Sequence, residues 1–239
     1  MKVIIIKNSK EMAKKAARMV ADFVKKKPNC ILGFCTGSTP IKMYKTLGNT
    51  AKKEKIDFSK VKTFNVDDYL GLSPKNKSSY TYYMNKHFFS KVNIRQENTF
   101  MPDKNIKNFG KLIKKAGGID LQLLGIGING HIGYNEPGSQ INSKDRKVKL
   151  SKSTRRVNLK WFKSISEEPK YAVTMGISTI LKSRKIILLA DGKKKANAIS
   201  KAIESPISGK TPASFLRKHK NCYFFLDKKA ASKLTKRHQ

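Results

Sequence analysis

Short apolar runs alternate along this chain with longer stretches that carry an apolar residue every third or fourth position. The first pattern predicts buried strands and the second amphipathic helices. Residues 2–7 predict a strand. Asn8, with Glu11 three positions later, has the spacing of a capping box. The helix it opens runs to about Lys25, with Met12, Ala16, Val20 and Phe23 on one face. Pro28-Asn29 breaks it, and Cys30 to Cys35 forms a second short strand. Thr36 to Thr39 is a turn, and Pro40 suits the first position of the next helix. Val61 to Val66 is a third strand ending in Asp67-Asp68. Ser78 to Phe89 is an aromatic-rich helix. A strand near Phe100 and a helix through Leu112 lead to a strand at Asp120–Leu124.

The second half is patterned less evenly. Residues 138–160 are polar, hold Arg146, Arg155 and Arg156, and lack strong periodicity, as a mobile flap would. Tyr171 to Leu181 predicts a helix and Lys185 to Ala190 a strand. Asp191-Gly192 turns into a helix from Lys193. Cys222 to Leu226 is a last strand before a short C-terminal helix. Strands alternating with helices imply an α/β fold, a mostly parallel sheet with helices on both faces. No internal repeat or low-complexity linker interrupts it, so residues 1–239 are expected to form one domain.

Three segments carry candidate chemistry. Gly125 to Pro137 reads Gly-Ile-Gly-Ile-Asn-Gly-His-Ile-Gly-Tyr-Asn-Glu-Pro and follows an apolar run ending at Leu124. Glycines there let the backbone turn sharply and approach a ligand. His131 changes charge near neutral pH, and Glu136 can hold and tune its ring. Open α/β sheets build sites at such strand ends. The Thr36-Gly37-Ser38-Thr39 turn lies between a buried strand and a helix N-terminus, where amides and the helix dipole favour an anion. It is neither the P-loop nor the dinucleotide fingerprint, and an ordinary N-cap turn has the same composition. Asp67 beside Asp68 suits a proton carrier of raised pKa, or a solvated cap.

Composition narrows the class. The chain has 239 residues, 38% of them hydrophobic, and no apolar run long enough to span a bilayer. Its first residues are too short an apolar stretch for a signal peptide, which points to a cytoplasmic protein. Cys30, Cys35 and Cys222 have the spacing of neither a disulfide framework nor a zinc site, so no metal is expected. The net charge is +36, from 52 Lys and Arg against 16 Asp and Glu. A nucleic-acid binder or an enzyme for an anionic substrate would use that field. Here Lys outnumbers Arg, occurs in every segment, and accompanies no nucleic-acid-binding motif. Non-specific polyanion binding is the expected consequence rather than a specific nucleic-acid partner. Such a scarcity of acids gives weight to Asp67, Asp68 and Glu136.

These segments together resemble the glucosamine-6-phosphate deaminase family. The resemblance rests on Leu-Gly-Phe-Cys-Thr-Gly-Ser-Thr-Pro (32–40), Thr-Phe-Asn-Val-Asp-Asp-Tyr-Leu-Gly-Leu (63–72), Ser-Tyr-Thr-Tyr-Tyr-Met (79–84), the 125–137 segment, Ser-Thr-Arg (153–155) and Gly-Lys-Lys-Lys-Ala (192–196). Pro212-Ala213-Ser214 followed by His219 fits the family's C-terminal pattern. The resemblance implies a Rossmann-like sheet and a cofactor-free hydrolytic deamination with isomerisation: glucosamine 6-phosphate and water give fructose 6-phosphate and ammonia. Asp67 matches the proton carrier between C2 and C1, His131 the residue that helps open the sugar ring, and Glu136 its supporting carboxylate. Thr36, Gly37, Ser38, Thr39, Arg155 and Lys195 match the phosphate clamp, with Asp68 in the site wall.

Two departures stand out. Asn129 occupies a position where some members have Asp. It can orient the imidazole by hydrogen bonding but brings no charge, so a shifted pH profile is expected. Members activated by N-acetylglucosamine 6-phosphate carry a basic cluster and a C-terminal extension. Arg146 matches one cluster position, but Val148 stands where a Lys is expected and the chain stops at Gln239. No such activation is expected, and the protein is expected to be a monomer or small homo-oligomer. The rival readings are a 6-phosphogluconolactonase on the same scaffold, which typically lacks the Asn-Glu-Pro at 135–137, and a non-catalytic sugar-phosphate or polyanion binder.

Overall fold

Ile186 to Ala190 is buried at every position, which only a strand covered on both faces allows. The computed structural model describes residues 1–159, 162, 164 and 167–235. Its strands and helices are β1 (Lys2–Ile6), α1 (Ser9–Lys26), β2 (Ile31–Phe34), α2 (Ile41–Lys53), β3 (Lys62–Asn65), β4 (Asp67–Tyr69), α3 (Tyr80–His87), β5 (Thr99–Phe100), α4 (Phe109–Ala116), β6 (Leu121–Gly125), β7 (Arg146–Lys149), α5 (Lys152–Asn158), β8 (Tyr171–Thr174), α6 (Ile177–Ile180), β9 (Lys185–Ala190), α7 (Ala196–Glu204) and β10 (Cys222–Asp227).

Seven strands form one sheet in the order β1-β10-β9-β6-β2-β3-β5, every pair parallel. From β2 the chain winds outward through β3 and β5, then returns to place β6 on the other side of β2. The order therefore reverses between β2 and β6, and such a reversal opens a crevice at the strands' carboxyl ends. The core is one large cluster that includes Phe34, Tyr44, Phe58, Phe64, Phe88, Phe224 and Phe225. Each such side chain, fully buried, contributes about 1.5–3 kcal/mol from removal of apolar surface alone. No described helix is long and apolar enough to cross a membrane.

The helices start for local reasons. Asn8 Oδ1 accepts the Glu11 N–H at 2.9 Å, which fixes the start of α1. The capping box is only half formed, because the Glu11 carboxylate accepts from Lys14 at 3.0 Å. Pro40 sits one place before α2, and its carbonyl accepts the first helical bond, from Tyr44 N. The helix expected from Lys193 begins as a 3-10 turn over Lys193–Lys195 before α7.

Three expectations are corrected. Tyr171–Leu181 is not one helix. It is β8, a bend and the single turn of α6. Tyr-Ala-Val-Thr has strand-forming residues, and its partners β4 and β7 hold it in an antiparallel three-stranded sheet, order β4-β8-β7. Gly176 follows, pressed so closely on Ser143 that a Cβ there would lie 2.1 Å from the Ser143 carbonyl oxygen. The 138–160 stretch is not irregular throughout, for it contains β7 and α5 (residue 160 lies outside the described residues). After β10 the described residues form turns, not a helix. Asp227 Oδ1 accepts from both Ala230 N and Gly192 N, which ties that segment to the loop after β9. Residues 236–239 lie outside the described part.

Candidate active site

Four adjacent strands, β9, β6, β2 and β3, deliver the candidate groups other than Arg155 to the same edge of the sheet. The turn 36–39 follows β2 and the glycine loop follows β6. Asp67 and Asp68 follow β3, and Lys195 comes after β9. Asp67 and Asp68 do not end a strand. They open β4, where the chain leaves the large sheet for the small one and Asp67 pairs with Thr174. This change of sheet buries both carboxyls at 7% exposure.

The two acids differ in what surrounds them. Asp68 Oδ1 accepts from Tyr69 N at 2.7 Å and Tyr80 N at 3.0 Å, and Oδ2 accepts from Thr81 Oγ1 at 3.3 Å. Burial still pushes its carboxyl up to about 6, with those donors pulling against it. Asp67 has no hydrogen-bond donor among the described residues. Burial first, and the neighbouring Asp68 charge second, push it up to about 8. A carboxyl of that kind can both accept and return a proton near neutral pH.

The glycine loop comes up beside them. Gly133, at φ +56°, fits where a Cβ would stand 2.6 Å from Val66 and 3.5 Å from the Asp67 carboxylate. His131 lays its ring over Gly127, where a Cβ would meet three ring atoms at 2.2–2.5 Å. His131 Nδ1 stands 3.6 Å from Glu136 Oε1, just beyond hydrogen-bond length, and no other described acceptor reaches it. Contacts of this kind tighten when a substrate binds. Burial raises the Glu136 carboxyl, but His131, Thr154 and Asn129 outweigh it and hold the group down at about 2.

Asn129 acts differently from the sequence expectation. Its Nδ2 donates to Glu136 Oε2 at 2.7 Å, and its Oδ1 accepts the His131 backbone N–H at 3.2 Å. It orients the carboxylate and the loop, not the imidazole. The amide is a donor that Glu136 needs, which an ionised Asp could not supply.

The expected phosphate groups are gathered only in part. Gly37 (φ +110°) and Ser38 are exposed, with open space beside Gly37. Thr36 stands next to the Tyr80 hydroxyl. Thr39 gives its hydroxyl to Asp191 Oδ1, joining the turn to the loop after β9. Lys195 Nζ donates to the Ile126 carbonyl at 2.6 Å, between turn and glycine loop. Arg155 is turned elsewhere: its Nε donates to the buried Glu168 at 3.1 Å.

Sequence reasoning gave no role to three groups found here. Thr154 donates its hydroxyl to Glu136 Oε1. It lies in the 153–155 motif, which was the available signal. Tyr69, Tyr80 and Tyr134 form an aromatic wall, with the Tyr80 and Tyr134 hydroxyls 2.7 Å apart and their rings stacked. Cys35, behind the turn, has its thiol pushed up to about 12 by burial and by Asp67.

The whole is a Rossmann-like α/β protein in which Asp67, Asp68, His131, Glu136 and the 36–39 turn share the carboxyl edge of a parallel sheet at its point of reversal. Residues 7–224 match the family described as glucosamine-6-phosphate isomerases/6-phosphogluconolactonase, and the chain belongs to that family. A glucosamine-6-phosphate deaminase of Thermoanaerobacter sp. (strain X514) is 48% identical over 97% of this chain and 94% of the relative. The solved structure of a monomeric glucosamine-6-phosphate deaminase superposes with a TM-score of 0.94 at 41% identity, covering 98% of this chain and all of the other. The 6-phosphogluconolactonase of Trypanosoma brucei shares the fold at a TM-score of 0.75 and 18% identity, over 98% of each chain.

Proposed function

We propose that this protein converts glucosamine 6-phosphate and water to fructose 6-phosphate and ammonia. The observation that carries the reading is the unsolvated Asp67 carboxyl, set at about 8, beside the His131–Glu136 pair. Isomerisation requires a base that removes the proton from C2 and returns it to C1, and one carboxyl on a rigid strand can do both. Ring opening requires a proton moved between the two ring-closing oxygens, which suits the His131 imidazole backed by Glu136. Once C2 has reached the oxidation level of a ketone, water replaces nitrogen there and ammonia leaves. The reaction is thus isomerisation with deamination rather than simple hydrolysis of a C–N bond, and the side chains present suffice without a cofactor.

Remote binding of the phosphate would position the reacting carbons. The 36–39 turn and Lys195, which lie side by side at the sheet edge, are the groups assigned to it. Arg155 joins them only if it exchanges Glu168 for the phosphate, a movement α5 would carry as part of a flap. We further propose that the protein acts in the cytoplasm as a single domain, as a monomer or small oligomer, without a specific nucleic-acid partner.

Purified protein supplied with glucosamine 6-phosphate is expected to release ammonia and fructose 6-phosphate in equal amounts, and to leave 6-phosphogluconolactone at its spontaneous rate of hydrolysis. Lactone turnover without ammonia would assign it to the other branch of the family. Two further outcomes follow from single residues. In Asn129→Asp the new carboxyl would face Glu136 without the donor it replaces, so the pH–rate curve should shift by about one unit. A curve that overlays the parent would refute this. Val148 packs among Tyr69, Tyr134, Leu150 and Ala172 and offers no cation. Substrate saturation should therefore be hyperbolic and indifferent to N-acetylglucosamine 6-phosphate. A sigmoidal curve that this compound makes hyperbolic would contradict it.

A further inference from the structure

The carbonyl and N–H of one trans peptide unit point to opposite sides of the chain. In the turn after β2, two tyrosines hold alternate carbonyls. Tyr44 donates its hydroxyl to Cys35 O at 2.7 Å, and Tyr83 donates its hydroxyl to Gly37 O at 2.7 Å. The amides that share those peptide units are Thr36 N–H and Ser38 N–H. Both must point away from the tyrosines. Among the described residues neither donates to a protein acceptor.

The tyrosine side is a fixed wall. The Tyr44 and Tyr83 rings meet edge to face at 6.4 Å and 76°. Tyr44 is fully buried between Phe34 and Phe88. Tyr83 also leans on His87, with ring centroids 4.6 Å apart. Its helix, α3, is tied by its first residues to Asp68. The opposite side of the turn is open at Gly37 and Ser38. The 37–38 peptide follows Gly37 at φ +110°, a backbone that glycine adopts without strain, and the Tyr83 hydroxyl holds its carbonyl.

We infer that Tyr83, backed by Tyr44, is a positioning residue for phosphate: it fixes the peptide between Gly37 and Ser38 so that Ser38 N–H, beside Thr36 N–H, faces the phosphate group of the substrate. This rests on reading the turn as the phosphate site, and it adds the device that orients the turn. Tyr83 sits outside the acid–base machinery, so it acts on binding and leaves proton transfer alone.

The test is Tyr83→Phe, which keeps the ring and removes the hydroxyl. Loss of one orienting hydrogen bond should raise KM for glucosamine 6-phosphate about 3–10-fold. The dissociation constant of inorganic phosphate, read by thermal-shift titration, should rise by the same factor. Turnover number, the pH profile of kcat and the unliganded melting temperature should stay within experimental scatter of the parent. Tyr44→Phe serves as the second variant and should weaken phosphate binding in the same sense. Unchanged phosphate affinity in folded Tyr83→Phe would overturn the inference. So would a fall in kcat at unchanged KM, or a parent protein that binds no phosphate. Phosphate binding needs no turnover, so a parent that binds phosphate but releases no ammonia would defeat the proposed reaction and leave this inference standing.

Discussion

Asp67→Asn is expected to lower turnover of glucosamine 6-phosphate by about 10²–10⁴-fold, the range for loss of a positioned proton carrier, while making the folded protein more stable at pH 8. Both effects come from the same burial. In the folded protein Asp67 holds its proton up to about 8, against an ordinary value of 3.8. The folded state therefore binds a proton that the unfolded chain releases. The stability this proton contributes is complete below about pH 4 and is lost as the pH climbs toward 8. Above that, an ionised carboxylate sits buried next to Asp68 and without a donor, which is a standing cost. An amide of the same shape removes the charge, and we expect it to recover about 1–3 kcal/mol at pH 8, or about 3–8 °C in Tm.

The pH dependence separates this from a general stabilisation. The Tm advantage of Asp67→Asn should be small at pH 4–5 and grow steadily up to pH 8. In the parent enzyme kcat/KM should rise with pH toward 8, as the pair of acids gives up its second proton. Asp67 and Asp68 are coupled, so the apparent value belongs to the pair. A variant that keeps its activity, or a Tm difference that does not change between pH 4 and pH 8, would contradict the assignment.

Gly127→Ala should fold normally and yet lose about 10²-fold in kcat. A Cβ at position 127 would stand 2.2–2.5 Å from Cε1, Nδ1 and Nε2 of His131. The obstacle is the far end of a side chain, so the ring can swing aside and the backbone need not move. The ring would then leave Glu136, from which it is already 3.6 Å away, and ring opening would lose its proton shuttle. Misplacement of a catalytic group by about 1 Å commonly costs that factor. The KM should change little, because the turn proposed to hold the phosphate follows β2 and is not in the glycine loop. Circular dichroism and Tm close to the parent, with kcat alone depressed, would bear this out. Activity within threefold of the parent would show that the imidazole has no role there.

The large sheet was legible chiefly from the apolar runs at Val3–Ile6, Ile186–Ala190 and Cys222–Leu226. The small sheet was not. Lys147 and Lys149 alternate with Val148 in a charged stretch, and Tyr171–Thr174 is as short as one turn of helix. Only their pairing with each other, and that of Tyr171–Thr174 with Asp67–Tyr69, makes them strands. The site residues stood out as motifs, but their partners did not. Whether Asp67 or Asp68 has the higher pKa depends on three donors, from Tyr69, Tyr80 and Thr81, that reach only Asp68. The role of Asn129 depends on Glu136 folding back to meet it seven residues later. Arg155 matched a phosphate clamp by motif, while its Nε donates to Glu168, thirteen residues on, a contact that no periodicity marks.

On this mechanism one sheltered carboxyl carries hydrogen from C2 to C1. Glucosamine 6-phosphate bearing deuterium at C2, turned over in ordinary water, tests it most directly. The fructose 6-phosphate formed should carry part of the deuterium at C1, the remainder being lost to solvent through the Asp67 carboxyl, and Asp67→Asn should form labelled product at no more than about a hundredth of the parent rate. Product with no deuterium at C1 even at the earliest times, or labelled product from the Asn variant at the parent rate, would contradict it.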